Sequence, residues 1–326
     1  MVNGKKLTVA ASPHIRSGVV TTGIMLDVIV ALIPALVASA VIFGARVLAV
    51  CAVTVGTAVL SEFLSRRILK RPNTLGDLSA IVTGLILAFN LPVSIPLWMA
   101  AFGAMVAIVM VKQLFGGIGQ NFINPAIAAR IIMTVSFPVA MSSWTAPLAR
   151  AGADAATSAS PLMAARTGAA LPSLMDMFLG VRMGSLGEVC AAALLAGGLY
   201  LLLRRVISPA IPLSFIGTVA VIMLIAKRGD FTAVAYQLLS GGLILGAFFM
   251  ATDYSTSPIS TRGKVIFGIG CGLITCLIRL FGSLPEGVSF AIIIMNILVP
   301  HIENLTLPKP FGTPKEEKKR KGEKAV

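Results

Sequence analysis

The chain has 326 residues, 56% of them hydrophobic and only 12% charged, with a net charge of +14. A soluble domain usually carries about 25% charged residues. The shortfall leaves too little polar surface for a water-soluble globule, and the apolar residues fall in blocks of about the 20 needed to cross a bilayer. The positive charge sits in short loops and in the C-terminal tail, as membrane topology requires, and forms no basic patch interleaved with aromatics, so no nucleic-acid partner is expected.

Residues 1–19 lack a long apolar core, so no cleavable signal peptide is expected. Ten apolar segments follow: 20–43, 46–64, 76–91, 94–112, 122–140, 186–206, 211–226, 235–253, 263–281 and 284–300. The predicted fold class is therefore an all-α polytopic membrane protein with about ten transmembrane helices. Two places read as interruptions: the third segment, with Gly84 and Asn90-Leu91-Pro92, and the run Gly116-Gly117-Ile118-Gly119-Gln120-Asn121 before the fifth. Non-helical backbone at membrane depth is tolerated only where protein or a polar cavity satisfies it, so these breaks predict an interior site.

With the N-terminus inside, 19 Lys and Arg fall on the inner side and seven on the outer, with Arg130 within the fifth span. This bias predicts cytoplasmic termini. The segment 141–185 is then external; it is rich in Ala, Ser, Thr and Gly, and too long for a simple turn. It divides the chain into a first five-helix repeat (20–140) and a second (186–304), followed by a basic tail (305–326) in contact with water or lipid headgroups. Gly84-Leu85-Ile86-Leu87 and Gly242-Leu243-Ile244-Leu245 occupy the third span of each half. An odd span count per half inverts the second half relative to the first, the inverted-repeat plan of many transporters.

Ionisable groups inside a membrane are costly and point to function. Asp27 lies a turn or two inside the first span and is the leading candidate for an ion or proton path, with a structural hydrogen bond as the competing reading. Asp253, in Ala251-Thr252-Asp253, is a second candidate or a helix-end carboxylate. Glu62 and Glu188 are read near the cytoplasmic ends of spans, where snorkelling or capping explains them. Cys51, Cys190, Cys271 and Cys276 lack metal-ligand spacing and read as small packing residues. No hydrolytic constellation and no metal site is visible.

Several blocks resemble one family. They are Ser12-Pro13-His14, the 116–121 run followed by Asn124-Pro125-Ala126, Phe248-Phe249-Met250-Ala251-Thr252-Asp253 followed by Thr256-Ser257-Pro258, Pro285-Glu286-Gly287-Val288, and Met295-Asn296. In order and spacing they resemble the family that joins the Rnf D subunit with the B subunit of the sodium-pumping NADH:quinone reductase. The short N-terminal segment is closer to the Rnf member. The resemblance implies membership, in the cell inner membrane, of a complex that passes electrons between ferredoxin and NAD⁺ coupled to Na⁺ or H⁺ movement. Its partners would be the A, B, C, E and G subunits, and a flavin transferase would mature it.

The resemblance also implies covalent FMN, joined by a phosphoester to a threonine of an Ala-Thr-Pro motif in the external loop. Here the loop reads Asp154-Ala155-Ala156-Thr157-Ser158-Ala159-Ser160-Pro161-Leu162. The match puts Ser160, between Ala159 and Pro161, at the acceptor position, a serine where the family has threonine; Thr157 is the alternative acceptor. A free, solvent-reachable hydroxyl on flexible backbone is expected there, with Asp154 aiding recognition by the transferase. A second, non-covalent flavin, riboflavin, is implied within the bundle, where Asn121, Asn124 and Asn296 are candidates for its polar edge. The alternative class is a stand-alone inverted-repeat solute or ion transporter; a purely structural scaffold leaves the helix breaks without a role.

Overall fold

The computed structural model describes residue 18 and residues 20–147, 160–188, 190–282 and 286–308. Asp154, Thr157, Ala159, Ser12-Pro13-His14 and Pro285 lie outside them. The described residues are helical and contain no strand. In order the helices are α1 (Thr21–Phe43), α2 (Arg46–Ile68), α3 (Ser79–Phe89), α4 (Leu97–Met105, continued as a π-helix over Val106–Gln113), α5 (Pro125–Ser136) and α6 (Pro138–Met141). Then come α7 (Pro161–Thr167), α8 (Leu174–Leu179), α9 (Ala191–Leu203), α10 (Ala210–Ala226), α11 (Phe231–Leu239), α12 (Leu243–Leu245, continued as a π-helix over Gly246–Met250), α13 (Thr261–Phe281) and α14 (Val288–Thr306).

Four helices, α1, α2, α13 and α14, are long and apolar enough to cross a membrane; α11 with 243–250, bent by 64° at their junction, makes a fifth if the pair is one span. Each remaining predicted segment coincides with a shorter apolar helix of 10–17 residues. The short ones are cut by backbone that leaves the helical region. Leu78 precedes α3 at φ 62°, and Gly241, between α11 and α12, has φ +66°. Gly84 is not a break: it is helical within α3, where an added Cβ would lie 2.8 Å from the Val55 Cα of α2. Gly242 stands at a break, so the two Gly-Leu-Ile-Leu runs differ in local structure.

The described part of the 141–185 segment is more structured than its composition suggests. Ser160 and Ser173 cap α7 and α8 with their hydroxyls, Pro161 sits at the first position of α7, and left-handed Gly168 and Gly180 end the two helices. Leu162 and Met177 anchor them, both buried.

The helices pack through small residues, as expected where lipid competes equally for apolar side chains. α1 meets α9 at Gly197, where any Cβ would collide with the Ala31 carbonyl. α10 meets α13 over Gly268 and Gly272; a Cβ on Gly272 would come within 2.6 Å of the Thr218 Cβ. α2 packs on α3 and α4, and α5 packs on α3 and α14.

Candidate functional site

Two buried polar regions lie at opposite ends of α3 and α9. α3 rises roughly 16 Å over its length, from Ser79 at one region to the Asn90 that follows it at the other.

At the first region the π-helical turn of α4 delivers Lys112 into the bundle. Its ammonium pairs with Glu62 of α2 at 2.8 Å and donates to Ser79 Oγ at 2.5 Å, and both charged side chains are at most 3% exposed. Thr74 Oγ1 donates to the other Glu62 oxygen at 2.8 Å. π-helical turns are rare and cluster at functional places; here the turn fixes a fully buried ion pair.

Beside this pair lies a cavity of about 100 Å³, walled by Ile24, Val28, Ile86, Phe248 and Phe249 and edged by Lys112, Asn121, Asn124, Thr252 and Asp253. Asp253 accepts hydrogen bonds from Ser255 Oγ and Thr256 Oγ1, both at 3.1 Å. The Asn121 amide donates to the Ile123 carbonyl at 3.0 Å. Asn124 caps α5, accepting the Ala126 and Ile127 N–H groups, and donates to the Met250 carbonyl at 3.3 Å. Asn296 does not line this cavity. It sits behind it on α14, where with its amide oriented to suit its neighbours it donates to the Thr256 and Ile292 carbonyls and accepts the Asn124 N–H. The three asparagines thus satisfy backbone at helix breaks, and two of them also edge the cavity.

Asp27 is half-buried just outside the cavity wall. It accepts from Tyr200 Oη at 2.8 Å and Arg204 Nη2 at 3.3 Å, fastening α1 to α9.

The second region gathers arginines. Arg130 of α5 donates to Asn90 Oδ1 at 2.6 Å, to Glu188 Oε1 at 3.0 Å and to the Glu286 carboxylate. Arg182 donates to the Glu188 carbonyl. Burial pulls its guanidinium down to about 10, against the opposing pull of Glu188 and Glu286, so it stays charged at neutral pH. Arg279, near the end of α13, donates to the carbonyls of Gln237 at 2.6 Å and Ser240 at 3.1 Å, satisfying the chain where α11 breaks. Three guanidinium groups against two carboxylates leave one buried positive charge in excess.

Ser160 faces this cluster. It is 7% exposed, and its hydroxyl accepts the Met163 N–H at 3.4 Å. With Pro161, Arg182, Glu188, Gly241 and Glu286 it lines a crevice of about 10 Å³, room for about one water. The expected free hydroxyl on flexible backbone is therefore corrected: Ser160 is a buried helix cap, because Leu162 and Ala164 draw α7 onto the bundle. Glu188 is likewise corrected, since it stands at the opposite end of the bundle from Glu62.

Sequence reading missed Lys112, Arg130, Arg182, Arg279 and Glu286 as site residues. All but Arg182 lie inside or at the edge of apolar segments, and the cost of burying charge there was the signal available.

This arrangement defines a helical, multi-pass membrane protein with ionic sites set at helix breaks. Comparison with known proteins places it further. The chain belongs to the NQR2, RnfD, RnfE family, whose model matches residues 8–312. It is 44% identical to the D subunit of the Na(+)-translocating ferredoxin:NAD(+) oxidoreductase complex of Acetobacterium woodii, covering 98% of this chain and all of that one. It is 40% identical to the D subunit of the proton-translocating ferredoxin:NAD(+) oxidoreductase complex of Clostridium ljungdahlii, covering 94% and 96%. To the D subunit of the ion-translocating oxidoreductase complex of Stutzerimonas stutzeri it is 38% identical, covering 89% and 91%.

Proposed function

We propose that this chain is the D subunit of an ion-translocating ferredoxin:NAD⁺ oxidoreductase complex in the inner membrane, relaying electrons through flavin coupled to Na⁺ or H⁺ movement. The observation that carries the assignment is end-to-end similarity to proteins of that name. The other members of the complex are its partners. The chain spans the membrane about ten times as two inverted halves, with both termini cytoplasmic and residues 141–185 external. Four features support that plan. α1 pairs with α9 and α5 with α14, the equivalent helices of the two halves. The third span of each half is broken, at Leu78 and at 240–242. The fourth span of each half ends in a buried cation, Lys112 or Arg279. The 19-to-7 charge bias gives the orientation.

FMN is esterified to Ser160, with Thr157 as the alternative. The residues fit the group in charge: a phosphodiester carries one negative charge, and the Ser160 cluster has one positive charge in excess. They do not fit it in volume while α7 is packed, since the crevice holds about one water. A phosphodiester on Ser160 therefore needs α7 shifted from this packed position, during esterification by a flavin transferase and afterwards, with Asp154, Ala159 and Pro161 presenting the hydroxyl. When bound, the flavin supplies the one-electron chemistry; the protein supplies position and polarity. Arg182 and Arg130 offset the phosphate charge, and Glu188 and Glu286 hold those guanidiniums in place.

The cavity at Asn121, Asn124 and Asp253 is proposed to take the polar edge of a second flavin, riboflavin, against its Phe248 and Phe249 wall. Asp253 and Asp27 lie on or beside the ion path. Flavin fluorescence of the protein in a denaturing gel tests the central reading. It should be present in the native chain and in Ser160→Thr, and absent in Ser160→Ala; a dark native band from an active complex contradicts it.

A further inference from the structure

A second cavity, separate from the Ser160 crevice, is roofed by α7 over the ends of α10 and α13. It measures about 350 Å³ and is lined by Leu162, Ala165, Arg166, Met223, Lys227, Gln237, Arg279, Leu280 and Gly282. A single water needs only about 10–15 Å³ by this measure, so the space admits a polar group of several heavy atoms. Three of its nine lining residues are cations and none is acidic.

Two of these cations keep donors that the described residues do not use. Arg279 is buried, at 6% exposure, and its Nε has no hydrogen-bond partner among the described residues. The Lys227 ammonium has no partner among the described residues. Arg166 frames the cavity from α7, donating to the Ile278 carbonyl at 3.1 Å and the Arg279 carbonyl at 2.7 Å. Lys227 follows α10 and Arg279 lies in the last turn of α13, where the helix C-termini favour cations, and the Lys227 ammonium and the Arg279 Nε are the donors left for a ligand.

Its depth narrows the ligand. α13 is long enough to span the bilayer, and the cavity sits at its last turn, with Leu280 and the highly exposed Phe281 at the apolar boundary. That is headgroup level. Lys and Arg at this level form charge-assisted hydrogen bonds with a headgroup phosphate. The Ser160 hydroxyl lines the other crevice, on the far side of Leu162, so a phosphate esterified there does not occupy this one.

We propose that the Arg166–Lys227–Arg279 cavity binds the phosphate of an anionic phospholipid headgroup and so seats α7 against the bundle. The shared chemistry is a phosphate, and inorganic phosphate is the competing source. The test is native mass spectrometry of the intact complex, delipidated and then titrated with phosphatidylglycerol, phosphatidylcholine or inorganic phosphate. Phosphatidylglycerol should bind saturably. Lys227→Gln should weaken that binding about tenfold, and Lys227→Arg should retain it. Binding of inorganic phosphate with the same loss in Lys227→Gln, but no bound lipid, overturns the headgroup assignment. Equal lipid binding by the native chain and Lys227→Gln overturns the site altogether. The Lys227 ammonium holds no other part of the bundle, so these variants are expected to fold, and an unchanged melting temperature checks that.

Discussion

The two polar regions of this molecule are built from the same parts and arrive at opposite charge. Each lies by a helix break, at Leu78 or at Gly241, and receives a buried cation, Lys112 or Arg279. At one, Lys112 is neutralised by Glu62, and the neighbouring Asp253 adds a carboxylate held by the Ser255 and Thr256 hydroxyls with no cation paired to it among the described residues. At the other, three arginines face two glutamates. A region with spare negative charge is prepared for a cation or for the neutral polar edge of a ring; a region with spare positive charge is prepared for a phosphate. The difference gives each end of the bundle its own charge, and residues from both halves of the chain build each one.

The largest effect should come from removing the guanidinium that ties the two carboxylates of the positive region together. Arg130→Met leaves Glu188 and Glu286 buried without their shared partner, and breaking such a pair costs about 3–5 kcal/mol. Loss of most detergent-stable protein is expected, read by thermal melting of the purified complex. The matching change in the negative region is Glu62→Gln, which strands Lys112 at a similar cost of about 3–5 kcal/mol. There the double change Glu62→Gln with Lys112→Met should recover most of the melting temperature, because a balanced apolar replacement removes the buried charge. If the double variant is as unstable as the single, the stranded Lys112 charge is not the cause of the loss.

Ser160→Ala sharpens the comparison without unbalancing charge in the apoprotein. It removes the α7 cap, worth about 1 kcal/mol, so a small drop in melting temperature should accompany the full loss of covalent flavin. Asp27→Asn should have the smallest effect on assembly, since Asp27 is half-buried and its Arg204 partner is mostly exposed. Ion transport in vesicles should fall more than complex yield does; normal pumping would make Asp27 a fastener between α1 and α9 alone.

Much of this was legible in the sequence. Apolar blocks marked every long helix of the bundle, and the Gly-rich run before Asn124 marked a real break. Gly84 misled, because a glycine in an apolar run serves close helix packing as readily as a break, and only the neighbouring Val55 backbone tells which. Leu78 carries no breaking signal, since a left-handed leucine is imposed by its surroundings. The Ser160 burial was missed although Ser-Pro at the start of α7 and Gly168 at its end are standard capping residues; small-residue composition drew attention to flexibility. The arginine cluster was invisible because Arg130, Arg182, Glu188, Arg279 and Glu286 are scattered over nearly half the chain, and only the fold brings them together.

The central claim is that the positive region exists to hold a flavin phosphodiester on Ser160. Peptide mass spectrometry of residues 150–166 from the active complex tests it most directly. The account predicts an FMN adduct on Ser160 that is absent in Ser160→Ala and present in Ser160→Thr. An adduct on Thr157 would shift the anchor by three residues and separate it from the Ser160 hydroxyl, and an unmodified peptide from an active complex would contradict covalent attachment in this segment.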